Sequence, residues 1–503
     1  MKRRTLIKAI GLGSLGLGFR SAYGLQLNNI KFSARMSGVD LSSTPIPFNN
    51  FPRVINIFLY GGPSELAGNL SNIVDINGSS LNKYPASLLQ PTTTAGGQIT
   101  PNGFWKEAGG DAMETMLKSG TMTVYRTMSR SRPHDLKAHR ESVLQNQLGS
   151  FDMDRSGIGT TLSELILARS ENDAFGKRIE NLLFPFVSFD SQAQWFNPGD
   201  VQIDAALRPT ALGRDLGTNN PYSRNAFVLR SPIESDLENL ADETNATRGG
   251  PATPIRNAFA SRKAIASSIS NFGTAGVTAH IAGLGAGTAL SYAADDFAST
   301  IKSAVSLMLM NPDTLYAAVG GGAMGGWDDH NGALANGNTD YKARTTRLMN
   351  ALMTAMVHIR AAKNSGNYPH ADSIIINVYG DFGRNVDLNN SGGWDHGNNQ
   401  NLYTFGGRDF RANALGKIVG ATDLLFTDNG KRIFTKPKAD SYQFEPFALA
   451  STLYKYYGVA NPGVLNDGVS AIDETQASVA IQNWLPDAGS SYETVSGFFA
   501  ANP

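Results

Sequence analysis

Residues 373–378 read Ser-Ile-Ile-Ile-Asn-Val, a short β-branched apolar run that continues through Tyr379 and breaks at Gly380. A run of this kind predicts a buried strand. Strands that are apolar throughout rather than alternating belong to parallel sheets covered on both faces. Past the break the chain turns polar, with Asp381 and Arg384 in Gly-Asp-Phe-Gly-Arg and then Asp395 and His396 in a glycine-rich loop. In open α/β sheets the ligand site lies outside the carboxyl ends of the strands. The cluster Gly326-Trp-Asp-Asp-His330 stands in the same relation to a second apolar run, residues 315–319. Two loops that each carry an acid and a histidine at a strand end offer the oxygen and nitrogen ligands of a divalent metal ion.

Around this pair the rest of the chain arranges itself. Residues 53–60 predict a strand that runs into Gly61-Gly-Pro-Ser-Glu65, a sharp turn at a carboxyl end. Further strands are expected at 121–126 and 182–189. Helices are expected at 136–148, 294–309, 341–363 and 446–457, the last closed by Gly458. His139 falls near the start of the first of these helices, where its ring can face a site. Residues 25–50, with Pro45 and Pro47, read as an extended lead-in. Residues 190–290 are rich in Asn, Ser, Arg and Pro, with weak periodicity, and read as an insertion that caps or flanks the sheet, with 273–290 flexible. Residues 461–503 read as an irregular tail, which leaves 51–460 as the main domain. The repeated order of helix, strand and acid-bearing loop predicts an α/β fold: a mostly parallel central sheet with helices on both faces.

The first residues give an address. Lys2, Arg3, Arg4 and Lys8 precede a short, glycine-rich apolar stretch, and Ala22 and Gly24 supply the small residues of a cleavage site. This pattern predicts a twin-arginine signal over 1–24, with the twin-arginine translocase as partner during export and a periplasmic or extracellular destination. The stretch is too short and too rich in glycine for a stable transmembrane helix, so none is expected in the mature chain. It also contains Gly11, Gly13 and Gly16 in dinucleotide-fingerprint spacing, but no strand precedes them and no cofactor role follows. Removing 1–24 takes five basic residues from 43 and none of the 43 acids, leaving a net charge near −5. No nucleic-acid partner is expected from that balance. With no cysteine there are no disulfides, thiolate ligands or cysteine nucleophile.

Four motifs in order, Gly61-Gly-Pro-Ser64, Gly326-Trp-Asp-Asp-His330, Gly380-Asp-Phe-Gly-Arg384 and Asp395-His396, resemble those of an exported bacterial family, domain-of-unknown-function family 1501 of the alkaline phosphatase/sulfatase-like superfamily. The resemblance implies an alkaline-phosphatase-like fold with metal ions at the carboxyl edge of the sheet. It implies that Asp328, His330 and His396 stand where one ion's ligands stand, and that Asp381 stands where a ligand of a second would. Ser64, Arg384 and His139 are then the candidate catalytic residues, with Ser129 a further candidate nucleophile and Arg384 placed either to grip an anionic group or to pair with Asp381. The ion implied is divalent: zinc, manganese, calcium or magnesium.

The sequence also departs from that pattern. Glu65 stands where many relatives have His, Ala67 where they have Asp, and Phe382 where true phosphatases have His. One ion site is retained and the second is weakened, and hydrolysis in this fold relies on a two-metal clamp. Two function classes therefore stand open. One is a metal-dependent hydrolase of phosphate or sulfate esters. The other is a degenerate secreted or surface-associated protein that uses the old site for structure or for capture of an anionic or surface ligand.

Overall fold

The computed structural model describes residues 34–69 except 43, most of 83–130, 138–190, most of 194–212, 271–335, 340–427 and 432–479, with a few isolated residues elsewhere. The expected signal, most of the insertion and the end of the tail lie outside the described residues.

Eight strands form the central sheet: β1 (Arg53–Leu59), β2 (Met122–Ser129), β3 (Phe186–Ser188), β4 (Thr210–Ala211), β5 (Tyr316–Gly320), β6 (Ile374–Gly380), β9 (Asn399–Gly406) and β10 (Ile418–Val419), in the order β10-β2-β9-β6-β1-β5-β3-β4. Every neighbouring pair is parallel except those made by β9, which runs antiparallel to both β6 and β2. The carboxyl ends of β1, β5 and β6 therefore share one edge with the amino end of β9. Two small pairs complete the set: β7 (Gly383–Arg384) with β8 (His396–Gly397), and the hairpin β11 (Thr422–Thr427) with β12 (Arg432–Pro437).

Alternation along the central strands feeds two cores. Ile55, Ile57 and Leu59 of β1, with Ile376 and Val378 of β6, pack against α1 (Gly110–Lys118), α5 (Asp296–Met310) and α6 (Tyr341–Asn364). Val54 and Phe58, with Tyr316 and Tyr379, face α3 (Ile158–Arg169) and α7 (Ala448–Tyr456). The sheet is thus covered on both sides, as its unbroken apolar strands require. Its register is pinned by a buried polar ladder. Asn56 and Asn377 lie opposite each other in β1 and β6; Asn377 Nδ2 donates to Asn56 Oδ1 at 2.9 Å, and Asn56 Nδ2 donates to Tyr316 Oη at 2.8 Å. A one-residue slip would strand these buried amides without partners.

The central sheet is mostly parallel, as expected, with β9 entering antiparallel. Several other expectations change. The strand expected at 182–189 shortens to Phe186–Ser188, since Phe184 takes a positive φ of 48° just before it. Residues 273–290, expected to be flexible, contain α4 (Thr274–Gly283), fastened to α6 through His280. The lead-in forms short 3-10 turns at Ala34–Gly38 and Phe48–Asn50 that bury Met36, Val39 and Phe48. Among the described residues no helix is long and apolar enough to cross a membrane.

Candidate metal centre

Three loops meet at the carboxyl edge. The turn after β1 reaches the 326–330 loop through Gly61: a Cβ there, at φ +112°, would lie 2.3 Å from the Asp328 amide nitrogen. Trp327 N donates to Tyr60 O at 2.9 Å. The 389–396 loop zips onto 329–333, with Trp394 N donating to Asp329 O at 2.7 Å and Asn389 Nδ2 to His330 O at 2.9 Å. Asp329 itself turns away to Arg344 of α6, whose Nη2 meets both carboxylate oxygens in a buried pair. The fourth component is α2 (His139–Leu148). Asn146, near its far end, donates to Gly380 O and Asp381 O at 2.9 Å each, and this docks the helix so that His139 in its first turn overlooks the strand end.

The result is convergence. His139, Asp328, His330 and His396 each offer one ligand atom, and the four atoms lie within 4.8 Å of one another. His330 Nε2 is 3.0 Å from His396 Nε2 and 3.1 Å from Asp328 Oδ1, while His139 Nε2 is 3.2 Å from the same Oδ1. A tetrahedral ion with bonds of 2.0–2.1 Å sets its ligands about 3.3 Å apart, so small adjustments suffice. His139 Nε2 is buried and makes no hydrogen bond, which is costly unless something else meets its lone pair or proton. The donor set, with three imidazoles and one carboxylate, fits a transition-type divalent ion.

Carboxylates stand behind the imidazoles. Asp381 Oδ2 lies 2.8 Å from His139 Nδ1, and this hydrogen bond raises the histidine's pKa against the effect of burial. Asp395 Oδ1 lies 3.4 Å from His330 Nδ1. Carboxylates on the far nitrogen fix the tautomer and orientation of metal-binding histidines. Burial works against ionisation of Asp328, but Arg384, His139 and His330 together hold the group below the ordinary carboxylate range. The side chain of Asp328 is 50% exposed, so the group is open to solvent on its side.

The sequence-predicted residues sort as follows. Asp328, His330 and His396 come together, and His139, expected in a catalytic role, joins them as a fourth donor. Asp381 is not in the convergent group: it is buried, takes the Gly61 amide at 3.2 Å and His139, and its Oδ1 has no partner. Arg384 pairs with Asp328 and not with Asp381. Its side chain is fully buried, and its donors go to Gly61 O, Gly62 O, Trp394 O, Asp328 Oδ1 and His330 Nε2, which leaves no fork for an incoming anion. The Ser64 hydroxyl is buried and caps the turn Glu65–Gly68 by accepting from Leu66 N. Ser129 lies at the end of β2, its amide on Phe444 O. Glu65 is wholly buried, bound by Asn399 and Thr435, and burial pushes its carboxyl up to about 8. Phe382 lays its ring 4.3 Å from that of His396 and 4.8 Å from that of His139, an apolar backing where a second ion would need donors.

One participant escaped the sequence reading. Arg432, at the start of β12, forms an ion pair with Asp395. The hairpin that carries it left a signal in two apolar-polar stretches flanking 428–431, but Thr422-Asp-Leu-Leu-Phe-Thr427 alternates poorly. The chain matches no family model, no curated protein and no solved structure, so the family resemblance rests on the four motifs alone.

Proposed function

We propose that this is an exported, alkaline-phosphatase-like metalloprotein that holds one divalent ion at the carboxyl edge of its sheet and hydrolyses anionic phosphate or sulfate esters there. The observation that carries the reading is the convergence of the donor atoms of His139, His330, His396 and Asp328 to within 4.8 Å of one another, with His139 Nε2 buried beside Asp328 and making no hydrogen bond. Such an ion supplies Lewis-acid activation of a water or an ester oxygen. The chain's own residues do the rest. Three histidines and Asp328 hold the ion, Asp381 and Asp395 aim two of the rings, and Phe382 keeps the rear dry. Arg384 supplies a fixed positive charge beside Asp328 where a second ion would otherwise be needed, which supports one ion rather than two. The imidazole-rich set favours zinc over manganese, calcium or magnesium, which suit oxygen ligands.

A second reading, capture of an anionic ligand without turnover, is favoured by one observation. Ser64 and Arg384 are both committed to structural hydrogen bonds, so neither offers a nucleophile or an anion grip. An ester-hydrolysis screen on metal-loaded protein, with His330→Ala as control, separates the two. Turnover lost in the variant supports the hydrolase; stoichiometric metal with no turnover on phosphate or sulfate esters leaves the binding protein. For export, changing Arg3 and Arg4 together to Lys is expected to hold the chain in the cytoplasm, and unchanged export would defeat that part.

A further inference from the structure

We propose that Arg432 is a positioning residue for the metal centre, acting through Asp395 on His330. The inference rests on the metal reading above and names what tunes that site. Arg432 Nη2 lies 2.5 Å from Asp395 Oδ2, and its Nε lies 3.4 Å from Asp387 Oδ2. The other Asp395 oxygen faces His330 Nδ1 at 3.4 Å and takes Asn389 Nδ2 at 3.2 Å. The path is therefore guanidinium to carboxylate to imidazole. It ends on the ring whose Nε2 lies 3.0 Å from His396 Nε2 and 3.1 Å from Asp328 Oδ1, two of the other three donors.

Each link has a physical task. With Nδ1–H donated to Asp395, His330 is held in the tautomer whose Nε2 carries a lone pair, the form a metal requires. Asp395 is about one-third exposed, and without an anchor its carboxylate would be free to rotate into water. Arg432 supplies that anchor from a pinned strand: Ile433 N donates to Asp387 Oδ1 at 2.9 Å, Ile433 O accepts from Val386 N at 2.9 Å, and Thr435 is bound to Glu65. The hairpin β11–β12, outside the main sheet and roughly a hundred residues beyond Asp328, thereby reaches the metal group through a single side chain.

The test is zinc affinity, measured by competition with a chromophoric chelator, alongside the metal-free melting temperature. Arg432→Gln is expected to weaken zinc about 10–100-fold, the usual effect of losing a partner behind a ligand histidine, while the metal-free melting temperature stays close to the parent's. Arg432→Lys should recover part of the affinity. Asp395→Asn should show a similar loss, and the double variant little more than either single change, since both cut one path. Lys438→Gln, which removes an exposed ion pair on the same hairpin, should leave affinity unchanged. A parent that binds one zinc and an Arg432→Gln variant that binds it equally well would overturn this inference and leave the metal centre standing. If Arg432→Gln fails to fold, Asp395→Asn and Arg432→Lys decide, and parental affinity in both overturns it. A parent that binds no zinc overturns both.

Discussion

Among the described residues two pairs of histidines meet nitrogen to nitrogen, and they are built for opposite ends. At the sheet edge His330 and His396 approach to 3.0 Å; between α4 and α6, His280 and His358 approach to 2.9 Å. The difference lies behind the rings. Asp395 stands at Nδ1 of His330, and Asp381 does the same for neighbouring His139, whereas Tyr368 and Tyr292 hydroxyls stand at Nδ1 of His280 and His358. Carboxylates make an imidazole a better base and fix its lone pair outward. Phenols only relay a hydrogen bond, and with both rings buried and no carboxylate near, the inner pair stays neutral. Burial pushes His280 down to about 4, and burial together with His280 pushes His358 well below its ordinary range. Close approach of histidines is thus no sign of a metal by itself; the groups on their far nitrogens and the solvent-open carboxylate of Asp328 make the distinction.

The largest expected effect that sharpens this contrast is all-or-none. His330→Ala or His139→Ala should lose the stoichiometric ion, and with it the rise in melting temperature on metal addition, on the order of 4 kcal/mol at a thousandfold excess over Kd. His280→Ala should keep both, and if it lost the ion while staying folded the contrast would collapse. Next comes His358→Ala, which removes a fully buried ring with two hydrogen-bond partners and is expected to cost about 2–4 kcal/mol in denaturant unfolding, whether or not metal is present.

Acid should separate the pairs as well. His280 has a folded pKa of about 4 against an ordinary 6.5, so the unfolded chain binds the proton first. Stability is therefore full above about pH 6.5 and falls as pH drops toward 4. His370, also pushed down to about 4 by burial and by Arg53, adds a slope of the same sign. Hence the quantity to measure is the difference between the parent and His280→Phe in metal-free urea melts, with the variant flatter across that window. Equal slopes would mean that the inner pair is not held neutral by the fold. The smallest effect is Tyr368→Phe, which removes one hydrogen bond at a half-exposed site and should cost about 1 kcal/mol. A cost indistinguishable from zero would show that the hydroxyl does not anchor His280.

Much of the framework was legible because its signals are local. The β-branched runs of β1 and β6 mark central strands, and the glycines after them mark strand ends where Asp and His gather. What escaped depends on distant partners. Asn399-Gln-Asn401 at the start of β9 reads as a polar loop, yet it is buried strand, because Asn399 and Asn401 bind Glu65 and Gln400 binds the Gly380 amide. His139 was visible as a histidine near a helix start, but its place among the donors is set by Asp381, 242 residues away. Arg384 looked like an anion grip because its motif says nothing of the six acceptors the fold wraps around it.

The most direct measurement is the metal content of the protein purified without chelator, followed by thermal unfolding with added zinc or manganese. One equivalent of a transition-type divalent ion in the parent, none in His330→Ala, and a metal-dependent rise in melting temperature in the parent alone is the result expected. A parent with no bound metal and an unchanged melting temperature in either ion would contradict the account.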